Sequence, residues 1–226
     1  MFGFWFWFWV VVALGVLVAA VLVIRRRRYV AKVKALGWTL EPNPGLARVA
    51  DLNAPPFGLG FRRSVDELVS GTTASGHAFR VFEYGYSGAG RRYSERLACV
   101  QLPFGLPDVF VTDSDHARTG ISPAGVPRFQ VEEGSLRAIA ADGSLASRVL
   151  VLIAPLIDTA SGPAEQVDLS IDGDQLVVGG APKDPDDLQA CLSALDPIAS
   201  ALSDTALRGY EVSPAADRFG FYGHPD

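Results

Sequence analysis

The chain has 226 residues and a net charge of −5, a length that predicts one domain of ordinary size. Six cations fall within residues 25–34, and taking them away leaves residues 35–226 with a net charge of −11. An acidic domain repels phosphate backbones, so nucleic acid is not an expected partner.

The N-terminal segment is apolar. Residues 1–24 carry no charged side chain, and Phe2 to Ile24 is an unbroken run of 23 residues. As a helix at ~1.5 Å per residue it reaches about 35 Å, enough to cross a ~30 Å hydrocarbon core. No cation precedes the run and four arginines follow it, the reverse of a cleaved signal peptide. Residues 1–28 therefore predict a transmembrane anchor with a basic collar, in which Gly15 and Ala19 allow weak helix dimerisation.

The cations predict an orientation, because Arg and Lys close to a membrane span stay on the cytoplasmic side. All six follow the helix, so we expect the N-terminus outside and the domain in the cytoplasm, at the cell membrane. Three tryptophans would form a belt at the outer surface, and four arginines would meet anionic lipid headgroups at the inner surface. The predicted membrane-anchoring residues are Trp5, Trp7, Trp9, Arg25, Arg26, Arg27 and Arg28.

Residues 29–60 predict a juxtamembrane helix and then a linker. Tyr29 to Leu36 continue the helix, and Gly37 suits its end. Residues 42–60 are rich in Pro and Gly, with at most one short helix, Leu46 to Leu52. An α+β domain is expected over residues 61–208, followed by an irregular tail at 209–226.

Alternating aromatic and β-branched residues predict an antiparallel meander of about four strands in the first half of the domain. Its strands fall at residues 65–72, 78–86, 93–102 and 108–112. Pro103 and Pro107 bracket a connection between the last two strands. Phe79, Phe82, Tyr84, Tyr86 and Tyr93 fit a sheet core better than a ligand pocket.

The second half predicts helices around one hairpin. Ser144 to Ile157 suits a buried helix that Pro155 kinks or ends. Residues 167–178 alternate on either side of Asp172-Gly173, which predicts a hairpin turn there. Asp184 caps a further helix, in which Pro197 favours a break or second start. The predicted fold class is α+β, a transmembrane helix followed by one domain of antiparallel strands with helices packed on one side.

Motifs for chemistry are sparse. The chain has no phosphate loop, no zinc-binding His-Glu-x-x-His and no nucleophile elbow. His77, His116 and His224 have no ligand spacing, so neither a metal nor a cofactor is expected. Cys99 and Cys191 suit no metal motif, and whether they pair depends on the compartment.

Two polar stretches remain open to a functional interpretation. Asp113 to Arg118 brings carboxylate, imidazole and guanidinium into one loop, which suits acid–base work, although a solvated turn explains it better. Asp172-Gly173-Asp174 lacks the further ligands of a calcium loop. The pairs Arg62-Arg63 and Arg91-Arg92 suit solvated hairpin ends, or contacts with lipid headgroups if that end faces the bilayer.

A family resemblance follows from several short motifs. They are Phe57-Gly58-Leu59-Gly60 with Arg62-Arg63, Val69-Ser70-Gly71, Phe79, Phe82 to Tyr86, Leu102-Pro103 and Leu106-Pro107-Asp108. This set is similar to a group of actinobacterial membrane-anchored proteins to which no function is assigned. The resemblance implies a short anchor before an α+β domain, and it implies no activity, cofactor or catalytic residue.

The sequence thus favours a non-enzymatic domain, facing the cytoplasm, that binds a protein or lipid partner at the inner membrane. The alternative is a membrane-tethered, hydrolase-like enzyme with a dispersed site near Asp113 to His116.

Overall fold

The computed structural model describes residues 2–52, 57, 61–88, 90–113, 129–160 and 168–212. Within these ranges lie three α-helices, α1 (Phe2–Ala35), α2 (Gly143–Ala160) and α3 (Pro185–Leu202). The strands are β1 (Thr39–Glu41), β2 (Phe61–Thr72), β3 (Ala78–Gly88), β4 (Arg91–Thr112), β5 (Phe129–Glu133), β6 (Leu136–Ala140) and β7 (Asp168–Gly179). Short 3-10 helices cover Leu46–Val49 and Thr205–Tyr210.

The seven strands form one antiparallel sheet built around β4. Its order is β1-β2-β3-β4-β6-β5, and β7 pairs with β4. The first half of β4 pairs with β3, from Gly88 opposite Arg91 to Phe79 opposite Val100. Its last four residues pair with β6, and β7 pairs with β4 from Leu97 to Thr112. A single strand of 22 residues therefore joins the two halves of the domain.

The main core lies between one face of the sheet and helices α2 and α3. Leu150 and Ile153 of α2 are fully buried, as are Val100 and Val111 of β4. Burial of a Leu or Ile side chain contributes about 1.5–3 kcal/mol, so this layer supplies most of the driving force for folding. The predicted α+β fold, with helices on one side of antiparallel strands, is confirmed.

The opposite face of the sheet carries a smaller apolar cluster. Phe82, Tyr84, Leu97, Cys99 and Val177 point from the strands into this second-face cluster. Val49, Leu52 and Phe57 cover it from the other side. These three covering residues belong to the range 29–60, so part of that range packs on the sheet.

Helix α1 continues far beyond its apolar run. Its hydrophobic part is long and apolar enough to cross a membrane and is not buried inside the rest of the structure. The helix ends at Ala35, and Gly37 adopts a φ of +75° that lets the chain reverse direction. Strand β1 follows and pairs with β2, Thr39 lying opposite Ser70 and Glu41 opposite Leu68.

The predicted hairpin at residues 167–178 is wrong. Residues Asp168 to Gly179 form the single strand β7, and Gly173, with φ +61°, marks an irregularity instead of a turn. The register with β4 shifts on both sides of the pair Leu106 and Gly173. Asp-Gly is a strong local turn signal, but pairing along the whole of β4 outweighs it.

Four prolines lie within strands or helices that continue past them. Pro103 and Pro107 lie inside β4 rather than around a connection, in the stretch where pairing with β3 has ended and the register with β7 is irregular. A missing N–H is tolerated at such positions. Helices α2 and α3 also continue past Pro155 and Pro197, and both prolines are exposed, where water can serve the carbonyl that loses its partner.

We predict that Gly173→Ala lowers the free energy of unfolding by about 1 kcal/mol or more, because a side chain is strained at positive φ. Gly209→Ala is the matched control, since its new methyl group meets no atom within 4 Å and its φ is not positive. Urea unfolding of both variants measures the difference. Equal stability of the two variants would mean that Gly173 does not need a positive φ in the folded protein.

Candidate functional site

The predicted anchoring residues lie on the surface of α1. Trp7 and Trp9 are 67% and 62% exposed, and Arg25, Arg27 and Arg28 are exposed as well. Their role toward lipid stays a prediction, as does the role of Trp5, whose side chain is outside the described part. Arg26 is different, because its guanidinium donates a hydrogen bond to the Glu67 carboxylate of β2.

Arg26, Tyr29, Glu67 and Arg96 form a junction cluster between α1 and the sheet. The Arg96 Nη2 donates to the Tyr29 hydroxyl at 3.3 Å, and its Nη1 lies 3.6 Å from the Glu67 Oε1. The Arg96 side chain is only 6% exposed. The carboxylate of Glu67 therefore forms ion pairs with two arginines, Arg26 of α1 and the buried Arg96 of β4.

The electrostatics of the junction cluster favour the ion pair. Burial of Glu67 alone would raise its pKa, but hydrogen bonds from Tyr29 and Arg26 and attraction by both arginines outweigh burial, so the pKa is lowered. The Nε of Arg96 has no hydrogen-bond partner among the described residues. A buried guanidinium of this kind depends strongly on its carboxylate.

Two further contacts extend the junction along α1. The Lys32 Nζ lies 2.7 Å from Asp186 and 3.5 Å from Asp184, the carboxylate that caps α3. Beyond the turn, the Trp38 ring meets Phe79 edge-on, with centroids 5.1 Å apart. Helix α1 is thus fixed to β2, β4 and α3, which are well separated in the sequence.

A polar cavity of about 450 Å³ lies beside the second-face cluster. The strand β1, directly after α1, forms one wall, and β2, β3, β4 and β7 contribute the floor. Two arginines and three carboxylates line it, together with two glutamines, namely Arg48, Arg80, Glu41, Asp51, Asp174, Gln101 and Gln175. The volume falls in the range of small-molecule sites.

The charges in this cavity are paired across its walls. Arg80 donates to Asp51 at 3.0 Å and to the Arg48 carbonyl at 2.7 Å. Arg48 donates to Glu41 at 2.8 Å. Burial alone would lower the pKa of Arg80, but its bond to Asp51 and nearby negative groups raise it, so the guanidinium stays charged. The cavity is therefore rich in donors and acceptors but has little net charge.

The sequence did not indicate the junction cluster or the cavity. Glu67 and Arg96 come from separate strands, and Glu67 has a φ of +51° beside a register shift between Asp66 and Val69. A local irregularity of this kind has no signature in a single sequence. The cavity depends in turn on the edge strand β1 and on the 3-10 helix, which carry no catalytic motif.

The loop proposed for acid–base work is mostly beyond the described residues. Asp113 is described, whereas Ser114, Asp115, His116 and Arg118 lie outside. Of the other histidines, His77 approaches the Gln101 carbonyl at 3.1 Å through its Nδ1, and His224 is outside.

Within the described ranges, no three or more His, Cys, Asp or Glu side chains are placed so that together they could hold a metal ion. The Cys99 thiol is buried, which raises its pKa to about 12, and Cys191 is half-buried.

These features define a class, an α+β domain carried by an N-terminal helix able to cross a membrane. Compared by sequence, the chain matches no protein-family model and no curated protein. Its fold is similar to the crystal structure of the mycobacterial trehalose monomycolate transport factor A, TtfA. The TM-score is 0.56 at 15% identity, and the match covers 78% of this chain and 93% of the other.

We predict that Glu67→Ala lowers the free energy of unfolding by about 3 kcal/mol or more, because it leaves Arg96 buried without a counter-charge. Arg96→Met removes the buried charge itself and should cost clearly less. Urea unfolding of the full chain in micelles measures both variants. If Arg96→Met is the more damaging change, the junction cluster is not held together by this ion pair.

Proposed function

We propose that this protein is a non-enzymatic, membrane-tethered factor that binds a protein or lipid partner at the inner membrane surface and takes part in moving a lipid. The main observation that supports this proposal is the attachment of α1 to the sheet through the junction cluster. A domain on a flexible linker would sample many orientations, whereas the junction cluster holds this domain in one orientation to the helix. Such a joint suits presentation of a defined surface to a partner in the same membrane.

Two observations support a role in lipid movement. The fold is similar to that of a protein described as a trehalose monomycolate transport factor. The cavity also offers many hydrogen-bonding groups with little net charge, which suits a polar, uncharged headgroup such as a sugar better than a phosphate. Membership of an actinobacterial group of membrane-anchored proteins remains part of the proposal.

The orientation is part of the same proposal. The six cations after the apolar run favour an outer N-terminus and a cytoplasmic domain, with anionic headgroups at the collar. We expect a reporter that is active only in the cytosol to work when it is fused after Asp226. A reporter that is active only outside the cytosol should fail at the same position. The opposite pattern would contradict the cytoplasmic placement.

Capture in native nanodiscs tests the binding role. We expect the full chain to retain a membrane protein, or a lipid with an uncharged polar headgroup, that is detected by mass spectrometry. Thr39→Trp should reduce lipid recovery several-fold, because the exposed Thr39 on the edge strand β1 lines the cavity and indole would fill it. Ser147→Trp is the matched control, because Ser147 is exposed on α2, which packs on β5 and β6, and neither of these strands lines the cavity.

The comparison that decides this test is an anchor-only chain, residues 1–34 fused to an unrelated soluble protein. If that chain recovers the same proteins and lipids, the domain does not bind a partner and the proposal fails. Turnover of a recovered lipid by the full chain would instead favour the hydrolase-like alternative near Asp113 to His116.

A further inference from the structure

One end of the sheet combines basic and aromatic side chains. This basic tip comprises Phe61–Ser64 of β2, Gly85–Gly88 of β3 and Arg91–Ser94 of β4. The strands bring these segments together, since Phe61 lies opposite Ser87 and Gly88 opposite Arg91. The tip is therefore a continuous surface made from three segments of the chain.

The charge of the basic tip differs from that of the rest of the domain. Its charged residues are Arg62, Arg63, Arg91 and Arg92, and it contains no acidic residue, although residues 35–226 carry a net charge of −11. The side chains of Arg62, Arg91 and Arg92 are exposed. Asp66, Glu83 and Glu95 lie just beyond the bounds of the tip. At the tip itself, the exposed Arg62, Arg91 and Arg92 favour an anionic partner.

Aromatic rings accompany these cations. Phe61 is 59% exposed and Tyr93 41% exposed, both large fractions for such side chains. Tyr93 stacks on Tyr86, with centroids 5.1 Å apart. Rings with an apolar body beside cations are the side-chain combination that favours the headgroup region of a bilayer.

The contacts of α1 show which way the basic tip points. Moving away from the apolar run, Arg26 of α1 contacts Glu67, and then Trp38 contacts Phe79, the partner of Gly71 in the sheet. Strand β2 thus runs from Glu67 to Gly71 in the direction that leads away from the membrane. Its beginning, at Phe61, must extend the opposite way, toward the apolar part of α1.

The position of the turn between β2 and β3 is consistent with this direction. Helix α3 begins beside Lys32, and its Asp196 accepts a hydrogen bond from the Ser75 amide in the β2–β3 turn. That turn is therefore remote from the apolar run. Phe61 lies six residues before Glu67 in the sequence, which corresponds to about 20 Å along an extended strand. Ile24 lies only two residues, about 3 Å, from Arg26 along α1, so the basic tip extends past Arg26 at least as far as the level at which the apolar run ends.

We propose that the basic tip is a second membrane-contact surface, which binds anionic phospholipid headgroups of the bilayer that α1 crosses. The arginines would contact phosphate oxygens, and Phe61 and Tyr93 would lie at the headgroup level. The anchor and the basic tip then hold the domain at two separate points.

Site-directed fluorescence in nanodiscs tests this surface with the full chain. A fluorophore is attached at Ser94→Cys in a Cys191→Ser background, and Cys99 is retained because its burial keeps that thiol unreactive. The second labelling site, Ala74→Cys, lies at the opposite end of the same hairpin. The quencher is a phosphatidylcholine with a nitroxide on its headgroup, in bilayers with and without phosphatidylglycerol.

We expect the label at Ser94→Cys to be quenched at least about threefold more than the label at Ala74→Cys when phosphatidylglycerol is present. Arg91→Ala with Arg92→Ala should reduce that quenching at least about twofold. Arg148→Ala with Arg208→Ala removes the same charge far from the tip and should leave it unchanged. Thermal unfolding confirms that each variant folds.

Two outcomes would overturn the proposal. Equal quenching at the two labelled positions would show that the tip does not reach the headgroups. Strong quenching at Ser94→Cys that persists without phosphatidylglycerol and after loss of Arg91 and Arg92 would show proximity without binding of anionic lipid. Neither outcome affects the partner role proposed above, which depends on capture by the domain.

Discussion

The buried pairing of Arg96 with Glu67 is the interaction on which the placement of the domain depends. It joins β4, the strand shared by both halves of the sheet, to β2, and through Arg26 and Tyr29 it joins both strands to α1. A guanidinium that is 6% exposed is costly to bury unless its carboxylate is in place. The ion pair therefore favours one arrangement of helix and sheet over alternatives that would separate the two charges.

Much of the architecture can be predicted from the sequence, because local sequence signals and the final fold agree. The apolar run and Gly37 define α1 and its end, and Asp184 before Pro185 caps α3 as expected. The β2–β3 hairpin follows from alternation and a polar turn. In each case a few neighbouring residues determine the structure, so one sequence contains enough information.

The sequence predictions that failed concern residues whose structure is determined by distant parts of the chain. Asp172-Gly173 has the local chemistry of a turn, but pairing along β4 keeps Asp168 to Gly179 extended. Pro103 and Pro107 suggest a chain break, yet they fall where ladder hydrogen bonds are irregular. Of the candidate sites, the collar arginines were visible in the sequence. The junction cluster and the cavity were not, because strand register brings their residues together.

The unbroken path of α1 from the apolar run to the sheet has a mechanical consequence. Helical backbone has a fixed rise of about 1.5 Å per residue, so the number of residues between Ile24 and Tyr29 sets the height of the domain above the hydrocarbon. No flexible spacer absorbs a change in bilayer thickness. If α1 crosses the bilayer as proposed, a thin membrane tilts the helix or raises the domain, whereas a thick one is thinned around the helix, because Arg25 to Arg28 resist entry into the hydrocarbon. The rigid junction thus couples the position of the domain to the membrane around it.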